Sequence, residues 1–78
     1  MDKEINQDYV IMFDTIENNI MNIYTKKLGV IGSIIYHEKF KAYVFLPIEN
    51  FYYKAGILFI IVKKLNELNN FKRSVKNV

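Results

Sequence analysis

The chain contains no cysteine, which excludes disulfides, thiol catalysis, cysteine-ligated zinc and iron–sulfur clusters. Its single histidine, His37, leaves no room for a His-rich metal site within one chain. A single arginine, Arg73, argues against base-specific nucleic-acid recognition, which leans on bidentate Arg contacts. The three glycines supply no phosphate loop. Gly29 and Gly32 lack the further glycine and the Lys-Ser/Thr of a Walker motif, and they open a strand-like segment. The longest apolar run, Ile57 to Val62, is six residues, far short of the about 20 that a membrane-spanning helix needs. The first residues, Met1 to Asp8, are acidic and polar, unlike a secretory signal, so a cytoplasmic location is expected. Neither a cofactor nor a metal is expected.

What is present is apolar and aromatic. The 78 residues are 51% hydrophobic, 15% aromatic and 24% charged, too apolar for a disordered segment. They make one domain, 1–78, because a second core does not fit in this length. Twelve Ile, six Tyr and six Phe are more than one small core readily encloses, so a homo-oligomer is expected.

Along the chain, Tyr9, Phe13, Ile16, Ile20 and Ile23 recur at intervals of 4, 3, 4 and 3, which predicts a first helix over Ile5 to Tyr24. Acids near its start, Lys26 and Lys27 at its end, and Gly29 beyond them suit a helix dipole and a helix stop. Val30 to His37 and Phe40 to Leu46 read as two strands joined at His37-Glu38-Lys39. Gly32, Ile34 and Tyr36 take one face of the first strand, and Ile31, Ser33, Ile35 and His37 the other. Neither face of this hairpin is polar, so both need cover, and sheet extension across a dimer axis is one way to provide it. Pro47 ends the second strand, and Asn50 is read as the N-cap of a second helix. That helix has a stripe of Phe51, Ala55, Leu58, Val62 and Leu65, joined by Ile57, Ile61 and Leu68. A third strand over Gly56 to Val62 is the rival reading. The expected fold is therefore α+β, in the order helix, strand, strand, helix, with the hairpin packed against both helices and completed by oligomerisation.

Two classes of function compete. Phe59 and Ile60 fall outside the helix stripe, and with Tyr52 and Tyr53 they form a candidate protein-binding set, since aromatic side chains commonly anchor interfaces. A non-enzymatic interaction module, an adaptor, regulator or inhibitor of unknown partner, is the leading expectation. The alternative is nucleic-acid binding through Lys63, Lys64, Lys72, Arg73 and Lys76, with Tyr52, Tyr53 or Phe71 for stacking. The charge is uneven in a way that suits either class. Residues 1–24 carry one Lys against five acids, and residues 63–78 carry five bases against one acid.

Catalysis has thin support. His37, Glu38 and Lys39 are the one cluster with acid–base character, and neighbouring strand residues point to opposite faces. Asp8, Asp14 and Glu17 are a still weaker set for a hard cation. The order Gly32-Ser33, His37, Phe40, Pro47 and Lys54, with helix, hairpin and helix, loosely resembles the small HicA-type RNase toxins of double-stranded-RNA-binding-like fold. That resemblance implies a His-dependent ribonuclease. His37 stands four residues past Ser33, however, where that family has the Ser and His adjoining, and no membership is assigned.

Overall fold

The computed structural model describes residues 3–6 and 8–76, with Lys3 and the last six of these as backbone only. The elements are β1 (Lys3–Ile5), β2 (Met12–Phe13), β3 (Ile20–Thr25), β4 (Gly29–His37), β5 (Ala42–Pro47), β6 (Phe51–Tyr53) and α1 (Ala55–Lys76). The fold is a small α+β domain: an antiparallel sheet in the order β2-β3-β4-β5, with one C-terminal helix against it. β1 and β6 form a separate parallel pair, Lys3 to Ile5 beside Phe51 to Tyr53.

The first helix predicted from the sequence is not formed among the described residues; Ile5 to Tyr24 contains strands instead. Asn18 and Asn19 both adopt left-handed backbone, φ 53° and 65°, with Glu17 and Ile20 exchanging backbone hydrogen bonds of 2.9 and 3.0 Å. Two central residues at positive φ make the tight turn whose twist matches that of paired strands, and Asn tolerates it well. Past this turn the working period is two: Met21, Ile23 and Thr25 are buried, while Ile20, Asn22 and Tyr24 face away. Of the residues spaced 4, 3, 4, 3, Ile16 and Ile20 are exposed, so that spacing does not mark a common buried face. Gly29 is left-handed as expected, φ 75°, but it closes the β3–β4 turn rather than a helix. There the buried Thr25 Oγ1 accepts the Leu28 N–H at 2.9 Å.

β4 begins and ends where the sequence placed it to within one residue, and a bulge re-aims its start. Ile23 pairs with Gly32 and Tyr24 with Val30, leaving Ile31 as the extra residue. Ile31 is therefore buried beside Gly32 and Ile34, not on the face of Ser33 and Ile35 as simple alternation predicts. Gly32 has no room for a side chain: a Cβ there would stand 2.7 Å from Cε1 of Phe45. β5 starts at Ala42, later than predicted, because Lys41 is left-handed (φ 54°) and its N–H reaches His37 O at 2.7 Å, putting Phe40 in the turn.

The predicted second helix is present, with a later start. Asn50 is not its cap; it sits in a turn at φ 70° ahead of β6. The helix opens at Lys54, whose carbonyl accepts from Ile57 and Leu58 and whose N–H reaches Ile5 O at 2.9 Å. The rival strand over Gly56 to Val62 is not formed. The buried stripe is Ile57 and Ile61, continued by the half-buried Leu65 and Leu68, whereas Ala55, Leu58 and Val62 are exposed. Sheet and helix together enclose a core of Ile5, Met21, Ile23, Ile31, Ile34, Ile57 and Ile61. Tyr53 fastens β6 to it, with its hydroxyl donating to Ile31 O and accepting the Ile48 N–H at 3.0 Å while its ring meets Phe45 edge-on.

The need for more strands is thus met within the chain, by β2 and β3. The free edge of β5 is also managed. Asn69 of α1 accepts the Tyr43 N–H at 2.8 Å and donates to Tyr43 O at 3.2 Å, as a neighbouring strand would. The strand ends in Pro47, which has no N–H to offer.

Candidate functional site

The first two turns of α1 are apolar on every side. At 100° per residue, Ile57 and Ile61 enter the core, Leu58 and Ile60 stand on its two flanks, and Phe59 points directly away. Only the core side is covered: Leu58, Phe59, Ile60 and Val62 are all exposed, Phe59 at 64%. A helix that is hydrophobic all round belongs to a buried environment. Tyr52, on β6 just before this helix, is 58% exposed and pairs in register with Glu4.

Of the four residues expected to bind protein, the structure leaves Tyr52, Phe59 and Ile60 at the surface. Tyr53 faces the other way, and its hydroxyl is occupied by the contacts with Ile31 and Ile48. Leu58 and Val62 join the exposed set; sequence spacing had assigned them to the core stripe, and only the angle at which the helix meets the sheet reverses this.

The basic set divides. Lys63 is exposed, with its ammonium 5.8 Å from the centre of the Phe59 ring. Lys64 is half-buried, its ammonium 5.1 Å from the centre of the Phe13 ring and 3.4 Å from Oε1 of the exposed Glu67. Lys72, Arg73 and Lys76, and the stacking candidate Phe71, have side chains outside the described residues.

His37 stacks on Phe40 with ring centres 4.3 Å apart, and its Nδ1 faces the Phe40 N–H at 3.4 Å. Asp14 accepts the Asn22 N–H at 2.7 Å and so fastens the β2–β3 hairpin. Among the described residues no three His, Cys, Asp or Glu side chains gather as a metal would require. A pocket of about 420 Å³ beside β2 is lined by Tyr9, Val10 and Met12 with Asp8, Lys26 and Lys27. Its one aliphatic hydroxyl, Thr25, is engaged by Leu28.

The second exposed apolar surface is the outer face of the sheet. The register puts Ile35 opposite Ile20 and Val44, and Ser33 opposite Asn22 and Leu46, all on the side away from α1. Ile20, Val30 and Leu46 there are each nearly half exposed, at 46%, 47% and 46%. Sequence alternation already marked the hairpin as apolar on both sides; the part contributed by β3 was concealed by its helical reading.

Compared with protein-family models, with curated proteins and with solved structures, the chain matches none of them. No helix among the described residues is long and apolar enough to cross a membrane.

Proposed function

We propose that this chain is a non-enzymatic protein-interaction module of the cytoplasm, acting as an adaptor, regulator or inhibitor by occupying a surface of another protein and associating with itself. The observation that carries the partner-binding part of this reading is the start of α1, apolar all round and covered on one side alone. Phe59 is its anchor, with Leu58 and Val62 on the adjoining helical positions and Tyr52 on the preceding strand. Interface energy concentrates in such large side chains once a partner excludes water from them. Nucleic-acid binding is less well supported, because Lys64 is already paired with Glu67 and stands over Phe13.

The test is affinity capture by the wild-type chain and two variants, each first shown folded by circular dichroism. Under this reading a protein partner is captured by the wild type and by Lys63→Gln/Lys64→Gln, and is lost with Phe59→Asp. Recovery of nucleic acid by the wild type, lost in the double Lys variant and kept in Phe59→Asp, would overturn the reading.

A further inference from the structure

We infer that the outer face of the sheet is the surface by which two copies of this chain pair, sheet face against sheet face. The proposal deepens the self-association part of the reading above and is independent of what binds the α1 surface. Three observations support it.

The first is charge. None of the side chains that β2 to β5 place on this face is Asp, Glu, Lys or Arg, in a chain that is 24% charged and carries a net +3. Two like-charged copies meet at least cost where neither presents a charge. Strands without charged side chains also lack much of the pattern by which a different partner is usually selected.

The second is polar satisfaction. At the centre of the face Ser33 Oγ donates to Asn22 Oδ1 at 3.0 Å, so these two polar groups are already paired across β3 and β4. That lowers the cost of removing them from water. The Asp14 carboxylate, which follows β2 opposite Asn22 on the edge of this face, accepts the Asn22 N–H at 2.7 Å, one of the several hydrogen bonds a carboxylate can take.

The third is that one alternative, the β5 edge, is closed. Edge-to-edge pairing through β5 meets Asn69 on Tyr43 and Pro47 at the strand end. Flat, antiparallel faces instead stack about 10 Å apart with their strands within about 30° of alignment, an arrangement compatible with a two-fold axis.

The footprint sets the strength. Four strands about 4.8 Å apart and about six residues long give roughly 300–400 Å² per copy. That is half or less of the about 800 Å² per partner in a standard interface, so the dimer is weak and forms reversibly in the micromolar range or above.

Sedimentation equilibrium of the full chain, from micromolar to near-millimolar concentration, tests the proposal. The wild-type mass should rise from 9.3 kDa toward twice that value. Ile35→Thr/Val44→Thr keeps β-branched side chains while adding two hydroxyls, and should weaken association by roughly tenfold or more. Leu46→Lys, a charge at an exposed position of the edge strand, should do the same and serves if the double variant does not fold. Phe59→Asp should associate as the wild type does, which separates this surface from the partner-binding one. A wild type that stays at 9.3 kDa throughout, or folded sheet variants that dimerise as tightly as the wild type, would overturn the proposal. So would loss of dimer in Phe59→Asp alone.

Discussion

The two faces of the four-stranded sheet are built from similar residues, yet one is a core and the other is bare. On the inner face Met21, Ile23, Ile31 and Ile34 are buried under Ile57 and Ile61 of α1. On the outer face Ile20, Ile35, Val44 and Leu46 come from the same sheet, and none of them packs against that core. Composition therefore does not separate the faces. What separates them is that the described residues contain one helix to lay on the sheet. Had Ile5 to Tyr24 been helical, a second cover would have existed; by forming β2 and β3 it enlarges the sheet and leaves its far side open. On the proposed pairing, the difference gives stability to one face and association to the other.

The largest effect should come from the inner face. Ile34→Ala removes a fully buried side chain and should cost about 2–5 kcal/mol, a fall of roughly 10 °C or more in Tm for a domain of this size. Thermal and urea denaturation will measure it, and outright unfolding fits the upper end of the range. Gly32→Ala comes next. Its methyl group would meet the Phe45 ring and, at 3.2 Å, the Leu46 carbonyl, for a cost of about 1–3 kcal/mol by urea denaturation. Pairing it with Phe45→Leu should recover part of that cost, which ties the effect to this contact.

Asn69→Ala tests how the sheet edge is closed. It removes both hydrogen bonds to the Tyr43 backbone and should cost about 1–2 kcal/mol, with more aggregation on storage as the β5 edge opens. Light scattering over time reads the second effect. The smallest change in monomer stability is expected for Ile35→Thr, under about 1 kcal/mol by denaturation at dilute concentration, because its side chain leaves no cavity in the core. Equal losses for Ile34→Ala and Ile35→Thr would break the contrast between the faces.

The part of the fold legible in the sequence was the part with one dominant signal. β4 was readable because its apolar run has clear boundaries at Gly29 and His37, and the C-terminal helix because its apolar residues recur at helical spacing, although its start was placed too early and a strand over Gly56 to Val62 competed with it. The first third was misread because Ile and Tyr satisfied a helical spacing by coincidence. The decisive residues were Asn18 and Asn19, whose left-handed turn is a local signal that competes with periodicity and here prevails. Exposure of Tyr52, Phe59 and Ile60 followed the sequence reading, whereas that of Leu58 and Val62 did not. Helical spacing defines which residues share a stripe, and only packing against β5 decides which stripe turns inward. The bulge at Ile31 was unreadable for a similar reason, since it exists only as a mismatch between two strands.

The twelve isoleucines make the contrast between faces directly measurable by methyl NMR. Spectra of the Ile δ1 methyl groups, recorded from micromolar to millimolar protein, report each face separately. Ile20 and Ile35 should shift progressively with concentration while the buried Ile23, Ile34, Ile57 and Ile61 hold still. Unchanged Ile20 and Ile35 signals across that range, or a shift confined to Ile60 on the helix, would contradict the assignment of association to the outer face.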